Sequence, residues 1–335
     1  MHARAVAPAG PVVPLVLTHG WPDSFWRYTK VIPLLTDPGR YGADPADAFD
    51  VVVPDIPGFG YSDRPARPLD SIAVAGLWAE LMTVLGYDRF VAAGGDLGSH
   101  VSRYLALDHP ERVVAVHRTD AGLPALTTDR SALTADEVAW LDEVVAWGQA
   151  EGAYAAVHRT KPQSIAVGLT DSPAGLAAWI VEKLRAWSDC DGDVERRFTK
   201  DEILTNVTLY WLTETIASSM RMYRANAAIP PEQLGRRVET PSGFSIFAGD
   251  VVRPPRAWLE RTANVVRATE LPRGGSTRAG LERLVSETWW ARTHQPSDTG
   301  QAGRRRRNTC RATCMSSTRS WRRRSKSVCS TSPRS

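Results

Sequence analysis

Short apolar runs alternate with helical stretches through the first 120 residues, and the runs end on chemically active side chains. Residues 14–18 (PLVLT) stop at His19-Gly20, 49–54 (FDVVVP) at Asp55, and 90–94 (FVAAG) at Gly95-Asp96; 113–116 form a fourth run. Between them, Ile72 to Leu85 places apolar residues at three- and four-residue spacing, the helical period. Uninterrupted apolar strands are those buried on both faces. Strands of that kind alternating with helices predict an α/β chain with a mostly parallel sheet covered on both sides. Residues 243–247 and 265–266 supply two more expected strands. In such sheets the reactive edge lies at the carboxyl ends of the strands.

From about residue 126 to 232 strand signals give way to helical ones, at 135–150, 172–187 and 200–225. A helical insertion over the strand ends would form a lid that excludes water. The expected organisation is a core in two parts, 1–125 and 233–275, a lid at 126–232, and a tail at 276–335.

The tail differs from the body in composition. Of 41 basic and 37 acidic residues, 14 and three fall past residue 275, leaving 27 and 34 before it. The net charge of +4 therefore joins a body near −7 to a tail near +11. The tail holds 11 Ser, 8 Thr and 13 Arg and no Ile, Phe or Tyr, too little apolar surface to offset the entropy of ordering it. Disorder is one reading. A nucleic-acid arm is a second, through Arg304–Arg307 and Arg322–Arg324. Translation out of frame is the third, and it is the one expected here. In the body Cys190 is the lone cysteine, as expected of a reducing, cytoplasmic setting without disulfides. Residues 11–17 are too short an apolar run to cross a bilayer, and no secretory leader is readable.

The sequence GGDLGS at 94–99 follows an apolar run and precedes a helical one at 101–107. Small residues at 94, 98 and 99 allow a sharp strand-to-helix turn, the form of a nucleophile elbow, with Asp96 at its tip. A carboxylate is a poor nucleophile toward carbonyls, but it can open a strained ring or displace a leaving group at saturated carbon. A plain helix-capping role for Asp96 is the competing reading. HGWP at 19–22 follows another strand, and the backbone N–H groups of Trp21 and Leu97 together would make an oxyanion hole. No metal cluster, P-loop or dinucleotide fingerprint occurs, so no cofactor is expected.

Seven segments, HGWP at 19–22, PDIPGFGYSD at 54–63, GGDLGS at 94–99, TKPQSIAVGLTDSPAGLAAWIVEKL at 160–184, ILTNVTLYW at 203–211, SSMRMY at 218–223 and FAGDVVRPP at 247–255, carry a resemblance. Together they make the body, roughly residues 12–275, resemble the microsomal type of epoxide hydrolase in the α/β-hydrolase superfamily. The resemblance implies an α/β-hydrolase fold and the opening of an epoxide to a vicinal diol. It implies Asp96 as the nucleophile and Tyr154 and Tyr223 as phenols that hold the epoxide oxygen. It also implies Asp250 as the acid that orients a histidine. For each tyrosine alone, a half-buried aromatic at a lid–core contact is the competing reading. Tyr210 is expected on the same helix as Tyr223, without a role in the chemistry. The expected partners are a small-molecule epoxide and water, with neither nucleic acid nor membrane.

Two departures accompany the resemblance. Family members place the histidine in a Gly-Gly-His-Phe pattern, whereas residues 271–278 read LPRGGSTR. That break coincides with the onset of the odd tail, which is the reason to expect a frame change and impaired turnover. The chain also begins about ten residues before its first matched strand, and an unprotected sheet edge is expected there. A haloalkane dehalogenase, which shares the aspartate elbow, and a non-catalytic relic with a basic binding tail are the alternatives.

Overall fold

The computed structural model describes residues 1–6, 8, 10–122, 129–250 and 253–272. The tail expected at 276–335, with His294 and both arginine runs, lies outside them. Seven strands form one sheet: β1 (His2–Ala3), β2 (Val13–Thr18), β3 (Phe49–Val52), β4 (Phe90–Gly94), β5 (Val113–Arg118), β6 (Val238–Phe247) and β7 (Ala263–Leu271). Their order is β1-β3-β2-β4-β5-β6-β7, and every pairing except β1–β3 is parallel.

The chain leaves β2 toward β3 on one side and returns to place β4 on the other. Between β2 and β4 the winding reverses, and a crevice opens at their carboxyl ends. The register makes those ends level. Thr18 pairs with Gly94, Gly94 with Arg118, and Arg118 with Phe244. The residues that follow β2, β4 and β5 therefore emerge side by side.

Successive residues of the strands face opposite cores, as the pleat requires. Leu15, Leu17, Val51, Val53, Val91, Ala93 and Ala115 pack on one face with Tyr28, Val31 and the short helix α1 (Ile32–Thr36). Val16, Val52, Phe90, Ala92 and Val116 point the other way, into a larger core. That core includes α2 (Ser71–Val84) and α3 (Leu97–Asp108), and it runs on into the helices between β5 and β6.

Those helices are α4 (Ala135–Glu151), α5 (Ala153–Thr160), α6 (Pro162–Asp171), α7 (Pro173–Ala186), α8 (Lys200–Thr213), α9 (Ile216–Asn226) and α10 (Pro231–Leu234). Their starts are written locally. Thr134 with Glu137 and Thr199 with Glu202 form capping boxes, and Ser172 caps α7 ahead of Pro173. A last helix, α11 (Arg256–Thr262), joins β6 to β7. Among the described residues no single helix is long and apolar enough to cross a membrane.

Three expectations need correction. The helix expected over 200–225 is two, because Glu214 sits in the left-handed region at φ 54° and ends α8. Tyr210 and Tyr223 accordingly lie on different helices. The sheet edge beside β3 is not bare: β1 pairs with it, and Asp50 of β3 accepts hydrogen bonds from Arg4 Nη1 (2.7 Å), the Ala5 N–H (2.8 Å) and the Tyr87 hydroxyl (2.7 Å). Finally, β6 and β7 are longer than the apolar runs inside them, since polar residues such as Glu239, Asn264 and Arg267 extend both.

Candidate active site

The turn from β4 into α3 is built on contacts that only glycine allows. A Cβ at Gly98 would lie 1.9 Å from the Thr18 carbonyl oxygen, and one at Gly94 would lie 2.5 Å from the Gly98 carbonyl carbon. At its tip Asp96 has φ 57°. A non-glycine residue held there stores about 1–3 kcal/mol of strain, so its surroundings must fix it. They do so through Asp120, two residues past β5. Its Oδ2 accepts hydrogen bonds from the Asp96 N–H (2.8 Å) and the Ser99 hydroxyl (2.7 Å), and its Oδ1 accepts from the Gly122 N–H (2.9 Å).

The Asp96 carboxyl turns toward the loop after β2. Its Oδ1 accepts the Trp21 N–H at 2.8 Å. The Leu97 N–H lies close enough to favour the charged carboxyl. Gly20 leaves room for this approach, since a Cβ there would lie 2.3 Å from Oδ1. Of the two donors expected to form an oxyanion hole, the Trp21 N–H therefore holds Oδ1, and the Asp96 side chain lines the cavity.

Burial raises the Asp96 carboxyl to about 7, against the lowering effect of the Trp21 and Leu97 hydrogen bonds. The negative Asp120 raises it further, and Arg27 opposes. A carboxylate settled at a helix N-terminus would be expected to stay fully ionised at neutral pH. Desolvation outweighs the two donors, because the charged form has lost its water.

Arg27, in the short 3-10 turn Phe25–Tyr28, is buried beneath the elbow. Its Nη1 donates to Asp23 Oδ2 at 2.7 Å, while Nε and Nη2 find no hydrogen-bond partner among the described residues. It is the cation nearest in effect to Asp96 on the core side, and sequence reasoning missed it.

Tyr154 on α5 and Tyr223 on α9 face each other in the cavity that Asp96 lines. Their rings lie 5.8 Å apart edge to face. The Trp21 indole stacks on Tyr154 at 5.6 Å and meets Tyr223 edge-on at 6.2 Å. Burial pushes both phenols above their ordinary value, and the negative Asp96 adds to it. Hydrogen bonding between the phenols lowers Tyr154 and raises Tyr223. Both hydroxyls therefore keep their protons well beyond neutral pH and can donate. Behind them, His158 lies one turn from Tyr154 and 4.9 Å from the Tyr223 ring. The Lys183 ammonium sits 5.2 Å from the Tyr154 centroid.

All six residues singled out from sequence, Asp96, Tyr154, Tyr223, Asp250, Trp21 and Leu97, line one cavity of about 280 Å³. Asp250 reaches it from the turn after β6, where its N–H donates to the Phe247 carbonyl at 3.2 Å. Trp140, Trp147 and Trp187 supply apolar wall. Tyr210 stands apart: its hydroxyl donates to the Asp23 carbonyl at 2.8 Å, and the neighbouring Asn206 donates to the Pro22 carbonyl at 2.9 Å. Both fasten α8 to the loop that carries Trp21. Asp120 and His100, which also line the cavity, were not singled out as site residues. For Asp120 a signal existed, since Thr119-Asp120 follows the fourth apolar run as Gly95-Asp96 follows the third.

Comparisons with known proteins bear on the fold and the family. A family model described as alpha/beta hydrolase fold matches residues 13–166. A putative epoxide hydrolase of Stigmatella aurantiaca is 41% identical over 270 residues, covering 78% of this chain and 60% of that protein. Epoxide hydrolase 1 of Oryctolagus cuniculus is 32% identical over 298 residues, covering 81% and 65%. The chain thus spans less than two thirds of the length of these relatives. Among solved structures, juvenile hormone epoxide hydrolase of Bombyx mori superposes with a TM-score of 0.72 at 29% identity, over 86% of this chain and 70% of that one. Aspergillus niger epoxide hydrolase gives 0.69 at 31% identity, over 82% and 70%.

Proposed function

Because the chain belongs to the α/β-hydrolase fold family, and within it to the epoxide hydrolases, we propose that Asp96 opens an epoxide ring to form an alkyl-enzyme ester that water then cleaves to a vicinal diol. The first step follows from the two oxygens of Asp96. Oδ1 is held by the Trp21 N–H, so Oδ2 attacks a ring carbon. The C–O bond breaks, and the departing oxygen takes a proton from the phenol pair. A phenol held above its ordinary range remains protonated until the alkoxide forms, which suits an acid that must not ionise early. Oδ1 is then the ester carbonyl oxygen and already accepts the Trp21 N–H, with the Leu97 N–H as the expected second donor. Those donors would stabilise the oxyanion when water adds to the ester.

The observation that carries this reading is the Asp96 carboxyl sharing one small cavity with both phenols. Brief exposure to styrene oxide followed by intact-mass measurement tests it. A single adduct of one epoxide mass is expected on Asp96, absent in Asp96→Asn, with diol as the released product. No adduct and no diol would overturn the reading. Halide release from an alkyl halide, without any epoxide chemistry, would favour a dehalogenase.

A further inference from the structure

Cleavage of the ester needs a base for water, and the position after β7 does not offer one. Residues 271–278 read LPRGGSTR, and the next histidine is His294. The described residues contain six histidines, and five are engaged elsewhere. His2 bonds the Tyr87 hydroxyl at the sheet edge (2.9 Å). His19 is sealed between the Gly20 carbonyl (2.9 Å) and the Ile56 N–H (3.0 Å). His109 ends α3 at its far end. His117 is buried against Ser245 (3.1 Å). His158 accepts from the Trp179 indole (3.4 Å) and lies behind the tyrosines.

His100 differs from all of them. It lies on α3 one turn beyond Asp96 and lines the same cavity as Asp96 and Asp250. Its ring packs over the backbone of Gly122, where a Cβ would come within 2.9 Å of Cε1 and 3.4 Å of Nε2. The Gly122 N–H is in turn bound to Asp120, so the carboxylate that fixes the elbow also fixes the floor under this imidazole. Among the described residues no group hydrogen-bonds to either ring nitrogen, and neither is among the buried atoms sealed without a partner. A water in the cavity can reach them. Asp120 favours the protonated ring, whereas burial, Arg118 and Arg103 favour the neutral one, the form a base requires.

We propose that His100 is the base of the ester-cleaving step, seated on the Gly122 backbone that Asp120 holds. The inference rests on Asp96 forming the ester. A ring nitrogen of His100 takes a proton from water as the water oxygen adds to the ester carbonyl. The oxyanion rests on the Trp21 and Leu97 N–H groups. Its collapse breaks the ester C–O bond, the leaving diol oxygen takes back the proton from the imidazolium, and the second water proton, left on the Asp96 carboxyl, returns to the phenol pair. No other reactant is needed.

The test follows adduct formation and decay separately in the full chain, by rapid quench and intact mass with styrene oxide. In His100→Ala the adduct is expected to form but to decay about 100-fold more slowly or worse, typical of a lost general base. Added imidazole should restore decay. Equal decay in the parent and His100→Ala overturns the role of His100 while leaving Asp96 as nucleophile. Slow decay that imidazole does not restore also overturns it. Absence of any adduct in the parent overturns both readings. If His100→Ala fails to fold, His100→Gln, closer in volume, gives the same comparison.

Discussion

Asp96 shows how one side chain carries opposed demands. Its backbone is strained, its carboxyl is out of water, and two N–H donors compensate only in part. A carboxyl that titrates near 7 when folded, and near its ordinary 3.8 when unfolded, binds its proton more tightly in the folded chain. Its contribution to stability is complete below about pH 4 and is lost as pH rises through about 7, an amplitude of roughly 4 kcal/mol at most. Asp96→Asn, neutral throughout, is expected to exceed the parent in stability at pH 8 and converge with it near pH 4, as read by urea unfolding at both pH values. The nucleophile is the anion, so adduct formation should rise through about pH 7 and then level, with both phenols still protonated. Equal stability at pH 8 would mean that the carboxyl is solvated. Asp96 and the tyrosines were legible because their motifs are local. Arg27 was not, because a buried turn brings it beneath the elbow; Asp120 and His100 had local signals, the end of the fourth apolar run and one helical turn past Asp96, that do not by themselves distinguish a site residue from a capping or packing one.

At the scale of elements, the strand-to-helix turn is the least forgiving. The backbone of β2 stands 1.9 Å from where a Gly98 Cβ would be, and a central strand cannot retreat. Gly98→Ala is expected to cost more than about 3 kcal/mol or to prevent folding. Gly148→Ala, in the interior of α4 with nothing within 4 Å, should add about 0.5–1 kcal/mol. Denaturant unfolding of the two variants checks the contrast, and similar effects would mean that the turn is not close-packed. Most elements were readable from apolar period and caps. The break between α8 and α9 was not, because it falls at a glutamate rather than a glycine, asparagine or proline. β1 is two residues long, shorter than any pattern, and is defined only by the strand it joins.

At the scale of the molecule, the larger core is shared. Val16, Phe90 and Val116 of the sheet belong to the same buried cluster as Leu176, Ile180 and Met220 of the inserted helices. Sheet and lid should therefore unfold together. Far-ultraviolet and near-ultraviolet signals, the latter reporting on 12 tryptophans, are expected to trace one coincident transition. Two separated transitions would show that the lid has a core of its own. The level strand ends bear on error as well. One step of slippage along a parallel ladder is about 3.3 Å, more than the tolerance of any hydrogen bond. A slip of β4 against β2 would carry Asp96 out of reach of the Trp21 N–H altogether and turn its neighbours to the wrong face. Mispaired chains would then be inert rather than sluggish, so a preparation's activity would count its correctly registered molecules.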